Sequence, residues 1–159
     1  MSVLALQRLR SRCFLLAPFA SVLLLACSQE IASESRDEVL HSKVLSAGKA
    51  RTPVSATSLV DSPDTLLCVL RPYEPFVQPK GSPAAIEINR QLTQAAYVAD
   101  DSHWALVAYT PGKPIRVAVV NQGDLRVARI QEDLCEPAAL LRLAYDSDGQ
   151  VTFVRDQAK

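Results

Sequence analysis

The densest group of chemically active side chains is Asp100-Asp101-Ser102-His103, directly before Trp104. A carboxylate, a hydroxyl and an imidazole are the groups of a hydrolase in which the imidazole takes a proton from the hydroxyl. Such groups must converge in space beside an oxyanion hole, and the sequence contains no G-x-S-x-G turn that would expose the serine. We therefore interpret the cluster as a polar loop that joins a helix to a strand, and we predict no enzymatic activity.

Metal and cofactor sites are not predicted either. Asp146-x-Asp148-Gly149 is similar to the start of a calcium loop, but Thr152 and Phe153 follow where further oxygen ligands would be needed. We interpret it as a hairpin turn. The sequence also has no G-x-G-x-x-G, P-loop or zinc-ligand spacing, so we expect no nucleotide, metal or other cofactor.

Cys27 has the most specific chemical context in the chain. Three arginines precede an uncharged run over residues 13–25, and the run ends in Leu24-Leu25-Ala26-Cys27. Basic residues followed by an apolar run are typical of a secretory signal, and this run is shorter than the ~20 residues of a spanning helix. The four residues resemble the lipobox of bacterial lipoproteins. An ordinary signal peptide with a chance cysteine, or an uncleaved membrane anchor, are the alternatives.

The lipobox resemblance implies that the Cys27 thiol carries a diacylglycerol, that residues 1–26 are removed as a signal peptide, and that the freed amine is acylated. Several acyl chains bind a bilayer far more firmly than a single one. Ser28 follows the cysteine where the enterobacterial pattern would need aspartate for retention in the inner membrane. The expected location is therefore the outer membrane, facing the periplasm.

Charge excludes one class of partner. Removing residues 1–26 takes away Arg8, Arg10 and Arg12 and no acidic residue, which leaves 14 basic against 17 acidic side chains and a net charge of −3. A nucleic-acid-binding protein needs clustered basic residues, and those of this chain are scattered. We expect no nucleic-acid partner.

Two cysteines remain in the mature chain once Cys13 leaves with the signal and Cys27 carries lipid. In an oxidising compartment a remaining pair favours a disulfide. We therefore predict a bridge between Cys68 and Cys135, which on the chain-entropy model contributes roughly 4 kcal/mol to folding stability. Two buried free thiols are the alternative.

Composition divides the mature chain into a tether and a domain. Residues 27–63 are mostly small or polar, with many serines, and predict an acylated cysteine followed by a flexible tether. A short helix over residues 35–45 is the alternative, although it would have little to pack on. Residues 64–159 predict one small globular domain.

Within the domain, the spacing of apolar residues predicts one helix and several strands. Ser82-Pro83 is a favourable helix start, and the apolar residues that follow share one face, so we predict a helix over residues 83–97. Strands are predicted at 65–70, 104–109, 115–119, 125–130 and 151–154. Residues 138–145 fit either a helix from Pro137 or a strand, which we favour by a little. The fold class is then α+β, one helix packed on an antiparallel meander of four or five strands.

The segment at 71–79 contains Pro72, Pro75 and Pro79 with Tyr73 and Phe76 between them. Prolines this close together favour extended backbone. One interpretation is a loop held on the core by its two aromatic side chains. The other is an exposed strip that binds a partner.

These observations favour a membrane-anchored periplasmic lipoprotein that presents a small protein-binding domain, as an inhibitor, an immunity protein or an accessory of an envelope machine. Tyr73, Phe76 and His103 are the candidate partner-binding residues, and the bilayer is bound through acylated Cys27. Two alternatives are an envelope hydrolase that uses His103 with Asp100 or Asp101, and a structural lipoprotein of the cell envelope bound to peptidoglycan or to other lipoproteins.

Overall fold

A computed structural model describes residues 37–78, 81–128 and 134–156. Cys27, the signal segment and residues 28–36 lie outside the described residues, so the predicted lipid anchor stays a prediction. Residues 37–156 form an α+β fold with two helices and two antiparallel sheets among the described residues. The predicted fold class is confirmed, while the number and arrangement of elements differ from the predicted single helix and single meander.

The larger sheet has four strands in the order β4-β3-β2-β5. The strands are β2 at Leu66–Leu70, β3 at His103–Tyr109, β4 at Arg116–Asn121 and β5 at Cys135–Pro137. Strand β3 lies between two neighbours and is apolar on both faces, because each face is covered by a different layer of the fold.

Helix α2, at Pro83–Gln94, covers one face of this sheet. Its first turn is capped by Ser82, whose Oγ accepts a hydrogen bond from the Ala85 N–H at 3.1 Å. The buried residues of the helix are Ala85, Ile88 and Leu92. They pack against apolar side chains on one face of β2, β3 and β4. The predicted helix is confirmed, with its end three residues earlier than expected.

Helix α1, at Glu38–Ala50, covers the opposite face and corrects the predicted tether. The Asp37 side chain caps it by accepting the Leu40 N–H at 2.8 Å. Leu40 and Val44 are fully buried, as is Leu59 in a 3-10 turn at Ala56–Leu59. The prediction of a flexible tether is therefore wrong over residues 37–63, because their few large apolar residues occur where they can enter the core.

The smaller sheet has three strands in the order β1-β6-β7: β1 at Val54–Ser55, β6 at Leu141–Tyr145 and β7 at Val151–Arg155. A 3-10 turn at Ala138–Leu140 precedes β6, so the strand prediction is confirmed over the helix alternative. Between the sheets and α1 lies the larger core, with Trp104 and Phe153 in edge-to-face contact at 6.4 Å between ring centroids.

The strand predicted at 125–130 is wrong over residues 125–128. Those residues make only an isolated bridge, from Val127 to Val151, and residues 129 and 130 lie outside the described residues. The chain instead passes to the smaller sheet, and the Trp104 indole N–H donates to the Leu125 carbonyl at 2.7 Å.

The predicted disulfide between Cys68 and Cys135 is confirmed. Cys135 belongs to β5 and lies directly opposite Cys68 of β2. The bridge therefore joins neighbouring strands and holds the short edge strand on the sheet.

The two ends of the larger sheet are chemically different. In the antiparallel register of β3 and β4, His103 pairs with Asn121 and Ala108 pairs with Arg116. We call these the His103 end and the Arg116 end; they are about 20 Å apart, since β3 is seven residues long. The Asp37 N–H donates to the Val117 carbonyl at 2.9 Å, so the described chain begins at the Arg116 end.

Candidate partner-binding surface

Two loops meet at the His103 end of the sheet. The loop at 71–78 follows β2, and the loop at 95–102 joins α2 to β3. They touch through a hydrogen bond from the Tyr73 N–H to the Asp100 carbonyl at 3.0 Å. Candidate residues from separate segments thus meet here: Tyr73, Asp100, Asp101 and His103. We call this group, together with the exposed Phe76 and Val98 of the same two loops, the distal surface.

Tyr73 in the first loop is exposed rather than packed on the core. It is 70% exposed and Phe76 is 41% exposed, whereas Val77 is buried. The interpretation that the two aromatics hold the loop on the core is therefore wrong for Tyr73, while more than half of the Phe76 side chain is covered. Val98, in the second loop, is 75% exposed and adds apolar area to the same end of the molecule.

Polar contacts hold the first loop in place. The Asn89 side chain on α2 accepts the Val77 N–H at 2.8 Å and donates to the Val77 carbonyl at 3.1 Å. At the other end of the loop, Glu74 accepts the Arg71 backbone N–H at 2.9 Å and the Arg71 Nε–H at 2.8 Å. The loop is fixed on both sides of its exposed aromatic residues.

Tyr73 itself has a left-handed backbone, with φ of 66°. This region costs a residue with a Cβ roughly 1–2 kcal/mol relative to glycine. Such strain persists only where surrounding contacts impose it, and it is concentrated at functional sites. The anchors around Tyr73 are those contacts, and the result is a tyrosine displayed in one fixed position.

Carboxylates surround the tyrosine hydroxyl. Partial loss of hydration raises the pKa of Tyr73, and the negative charges of Asp101 and Asp100 raise that pKa further. The hydroxyl is therefore a neutral hydrogen-bond donor at physiological pH. The distal surface combines exposed aromatic and apolar groups with negative charge.

Asp100 and His103 are in contact, as the hydrolase hypothesis requires. His103 Nδ1 lies 2.9 Å from both carboxylate oxygens of Asp100, and Asp100 Oδ1 also accepts the backbone N–H of Ser102 and of His103, each at 2.8 Å. Burial raises the pKa of Asp100, but the bonds from the His103 ring and the two N–H groups outweigh burial and lower it. Asp100 is therefore an ionised carboxylate that closes the turn into β3.

The other side of the imidazole does not meet a nucleophile within the described residues. Asn121 Oδ1 accepts the Gly123 N–H at 2.7 Å, which directs the Asn121 Nδ2–H₂ group to His103 Nε2 at 3.3 Å. Nε2 thus faces the Asn121 amide rather than a hydroxyl group. Ser102 Oγ donates to Asp101 Oδ1 at 3.0 Å instead of approaching the ring. This arrangement fits a structural latch between loop and sheet better than a catalytic triad.

The remaining candidates have structural roles. His41 Nδ1 lies 2.9 Å from the Val119 carbonyl and ties α1 to β4. Asp146 Oδ1 accepts the N–H groups of Asp148 at 2.9 Å and Gln150 at 2.8 Å, which forms the predicted turn between β6 and β7. No group of three potential metal ligands occurs among the described residues.

Neither described helix is long and apolar enough to cross a membrane. No protein-family model, curated protein or solved structure matches this chain. Functional inference therefore rests on the geometry of the distal surface and on the lipobox resemblance.

Sequence reasoning missed Asn89, Asn121 and Val98. The two asparagines act through contacts across 12 and 18 residues of chain, and neither has a local pattern that distinguishes it from an ordinary surface amide. Val98 carried a weak signal, as an apolar residue in an otherwise polar loop.

Proposed function

We propose that this chain is a lipid-anchored protein of the bacterial cell envelope that binds another protein through its distal surface. The observation that carries the proposal is the rigid display of Tyr73 and Phe76, exposed on a loop whose two sides are held by Glu74 and Asn89. The surface fits an inhibitor, an immunity protein or an assembly accessory, and the identity of the partner distinguishes these roles.

The physical chemistry of interfaces supports this reading. Tyrosine is enriched among residues that dominate binding energy, because it buries a large rigid surface and keeps a polar group. A loop already held in its bound shape loses little conformational entropy on association. The nearby Asp100 and Asp101 carboxylates favour a partner with a basic surface and steer its approach.

The position of the distal surface relative to the anchor also supports the proposal. The described chain begins with Asp37 at the Arg116 end, and the distal surface lies at the His103 end. The chain from Cys27 to Asp37 spans ten residues, which reach at most about 35 Å. An acylated Cys27 would therefore be joined to the domain at the end opposite the distal surface.

A crosslinking pull-down from membranes tests recognition. The tagged full chain, Tyr73→Ala with Phe76→Ala, and the control Val39→Ala would be compared by mass spectrometry of the captured proteins. Val39 is an exposed apolar residue near the start of α1, at the Arg116 end. We expect one stoichiometric partner with the unaltered chain and the control, and its loss with the double variant. Capture that the double variant retains would contradict the proposed surface.

Anchoring is tested separately with Cys27→Ser. Incorporation of labelled palmitate into the unaltered chain, and its loss in Cys27→Ser, is the expected result. We also expect the variant to capture the same partner in solution, because the anchor and the distal surface are distinct. Unchanged palmitate labelling in the variant would overturn the assignment of Cys27.

A further inference from the structure

A concave site is formed by three segments at the C-terminal end of α1. Its lining comes from the end of α1, the turn after β4 and the turn between β6 and β7, and its volume is about 390 Å³. This is within the range of small-ligand sites. We call it the polar groove, and its charged residues are Lys49, Arg51, Asp124, Arg126 and Asp148.

The charged side chains of the polar groove are unpaired. Among the described residues, none of the five forms a side-chain hydrogen bond or an ion pair with another residue. Elsewhere in the described chain, arginines on the surface reach carboxylates: Arg71, Arg90, Arg116, Arg142 and Arg155. Three cations and two anions, all exposed, thus line one open groove without pairing with each other.

The backbone around the groove is fixed. Gly48 lets α1 approach the turn closely, since a Cβ there would lie 2.5 Å from Leu125 Cδ2. The Leu125 carbonyl is held by Trp104, and the Val151 N–H donates to the Arg126 carbonyl at 2.8 Å. The side chains of the groove therefore project from a preorganised frame.

Arg51 stands where a helix end usually has glycine. It follows the last residue of α1 with a left-handed φ of 51°, and glycine would adopt this conformation without steric cost. A Cβ added to Gly149 would lie 4.0 Å from the Arg51 Cζ atom. The Arg51 guanidinium therefore extends over the turn between β6 and β7. A strained arginine directed across a groove is the kind of outlier found at binding sites.

We propose that the polar groove binds a short peptide with a free carboxylate and a free amine, the groups found in the stem peptides of the bacterial cell wall. A guanidinium group can bind a carboxylate through two parallel hydrogen bonds, and the groove is lined by two such groups, those of Arg51 and Arg126. Asp124 and Asp148, with the negative end of α1, match an ammonium group and repel a ligand of high negative charge. This inference is independent of the partner of the distal surface.

The groove lies at the end of the domain away from Asp37, where the described chain begins. Helix α1 has 13 residues, so its end lies about 20 Å from Asp37, where the chain leads to the anchor. The groove also contains Gln122, whose N–H donates to the Ser102 carbonyl at 2.7 Å, and so it lies at the His103 end. The groove is therefore at the end of the domain opposite the point where the chain leads to Cys27.

Calorimetric titration of the full chain in detergent with a soluble cell-wall tetrapeptide tests the proposal. The variants are Arg51→Gln, Arg126→Gln and Asp148→Asn, with Arg142→Ala as the control for an exposed arginine outside the groove. We expect each arginine variant to weaken binding by about tenfold, as loss of a charge-assisted hydrogen bond would. The control should bind like the unaltered chain.

Three further titrations define the ligand class. Asp148→Asn should weaken binding of the tetrapeptide several-fold but leave binding of the same peptide with an acetylated amine unchanged. Inorganic phosphate and vesicles of anionic phospholipid should bind more weakly than the tetrapeptide. The proposal would be overturned if the tetrapeptide did not bind, or if the arginine variants bound it as tightly as the unaltered chain does. Tighter binding of phosphate or vesicles than of the tetrapeptide would also overturn it. The pull-down with Tyr73→Ala and Phe76→Ala is unaffected by any of these outcomes.

Discussion

The segment at 37–63 and the loop at 71–78 have opposite fates in the fold. The first is rich in serine and other small polar residues, yet it forms α1, β1 and part of the core. The second carries two aromatic residues, yet it displays them to solvent. Average composition would predict that the first segment is exposed and that the aromatic residues of the second are buried, which is the reverse of what the structure shows.

The difference shows that the spacing of a few apolar residues outweighs mean polarity. Leu40 and Val44 are four residues apart, so they lie on one face of a helix and enter the core together. In the loop, positive φ at Tyr73 and the nearby prolines prevent a regular element with a single buried face. Val77 alone turns inward, and polar contacts hold the rest.

Leu40→Ala should have the largest effect, because it removes a core contact that holds the first segment in the fold. Removing a fully buried leucine costs about 3 kcal/mol of unfolding free energy, through lost burial and the cavity that remains. The neighbouring Val39 is 62% exposed, so Val39→Ala should change stability very little. Urea unfolding followed by tryptophan fluorescence of Trp104 measures both, and equal stability of the two variants would contradict the packing of α1.

Asn89→Ala should release the loop at 71–78 while leaving the core intact. It deprives the Val77 N–H and carbonyl of their partner, at a cost of about 2 kcal/mol. Hydrogen exchange should accelerate at Val77 and across the loop, and remain slow in β3. Asn89→Asp keeps the acceptor but loses the donor. Its exchange rate in the loop should therefore lie between those of the unaltered chain and Asn89→Ala. Uniform acceleration throughout the protein would show that the loop is not an independent unit.

Asp37 gives the first segment a pH-dependent contribution to stability. Burial raises the pKa of Asp37, but the side-chain bond from Arg116 and the capping bond from Leu40 outweigh burial and lower it below 3.8. A carboxylate whose pKa is lower in the folded state stabilises the protein above the unfolded pKa, and this contribution disappears as pH falls through the folded value.

Asp37→Ala should therefore cost about 1 kcal/mol at pH 7 through loss of the cap, and less below pH 3.8. Asp37→Asn retains a capping group but has no charge to titrate, so its stability should vary less between pH 5 and pH 2 than that of the unaltered chain. Thermal unfolding across this pH range measures the effect. An unchanged pH slope in both variants would show that Asp37 does not contribute.

Tyr73→Gly should have the smallest effect, a small increase in the free energy of unfolding. Glycine relieves the left-handed strain, and the exposed ring loses few contacts, so we expect an increase of roughly 1 kcal/mol in unfolding free energy. Ala96→Gly, also at positive φ, should give a similar gain without loss of partner capture. A destabilised Tyr73→Gly protein would mean that the ring supports the fold.

Sequence reasoning worked where one local pattern decided the structure. The capped start at Ser82-Pro83, the two apolar faces of β3 and the turn chemistry at Asp146-Gly149 depend on neighbouring residues alone. The pairing of Cys68 with Cys135 followed from the small number of candidates in an oxidising compartment.

It failed where distant contacts decided the outcome. The helix at 38–50 has a weak apolar face and is stabilised by tertiary contacts, such as the Tyr145 hydroxyl donating to the Ala47 carbonyl at 2.6 Å. The distal surface likewise depends on Asn89 and on the contact between Tyr73 and Asp100, which join separate segments. Its candidate residues could be named from the sequence, but their juxtaposition could not.

Site-specific photocrosslinking in native membranes tests the central claim most directly. A photoreactive phenylalanine derivative would replace Tyr73 in one variant and Val39 in another, since both positions are exposed and one lies on the distal surface. We expect a single crosslinked protein from position 73 and none from position 39. Crosslinks of equal yield from both positions, or only to lipid from position 73, would contradict the assignment of the distal surface as a protein-binding site.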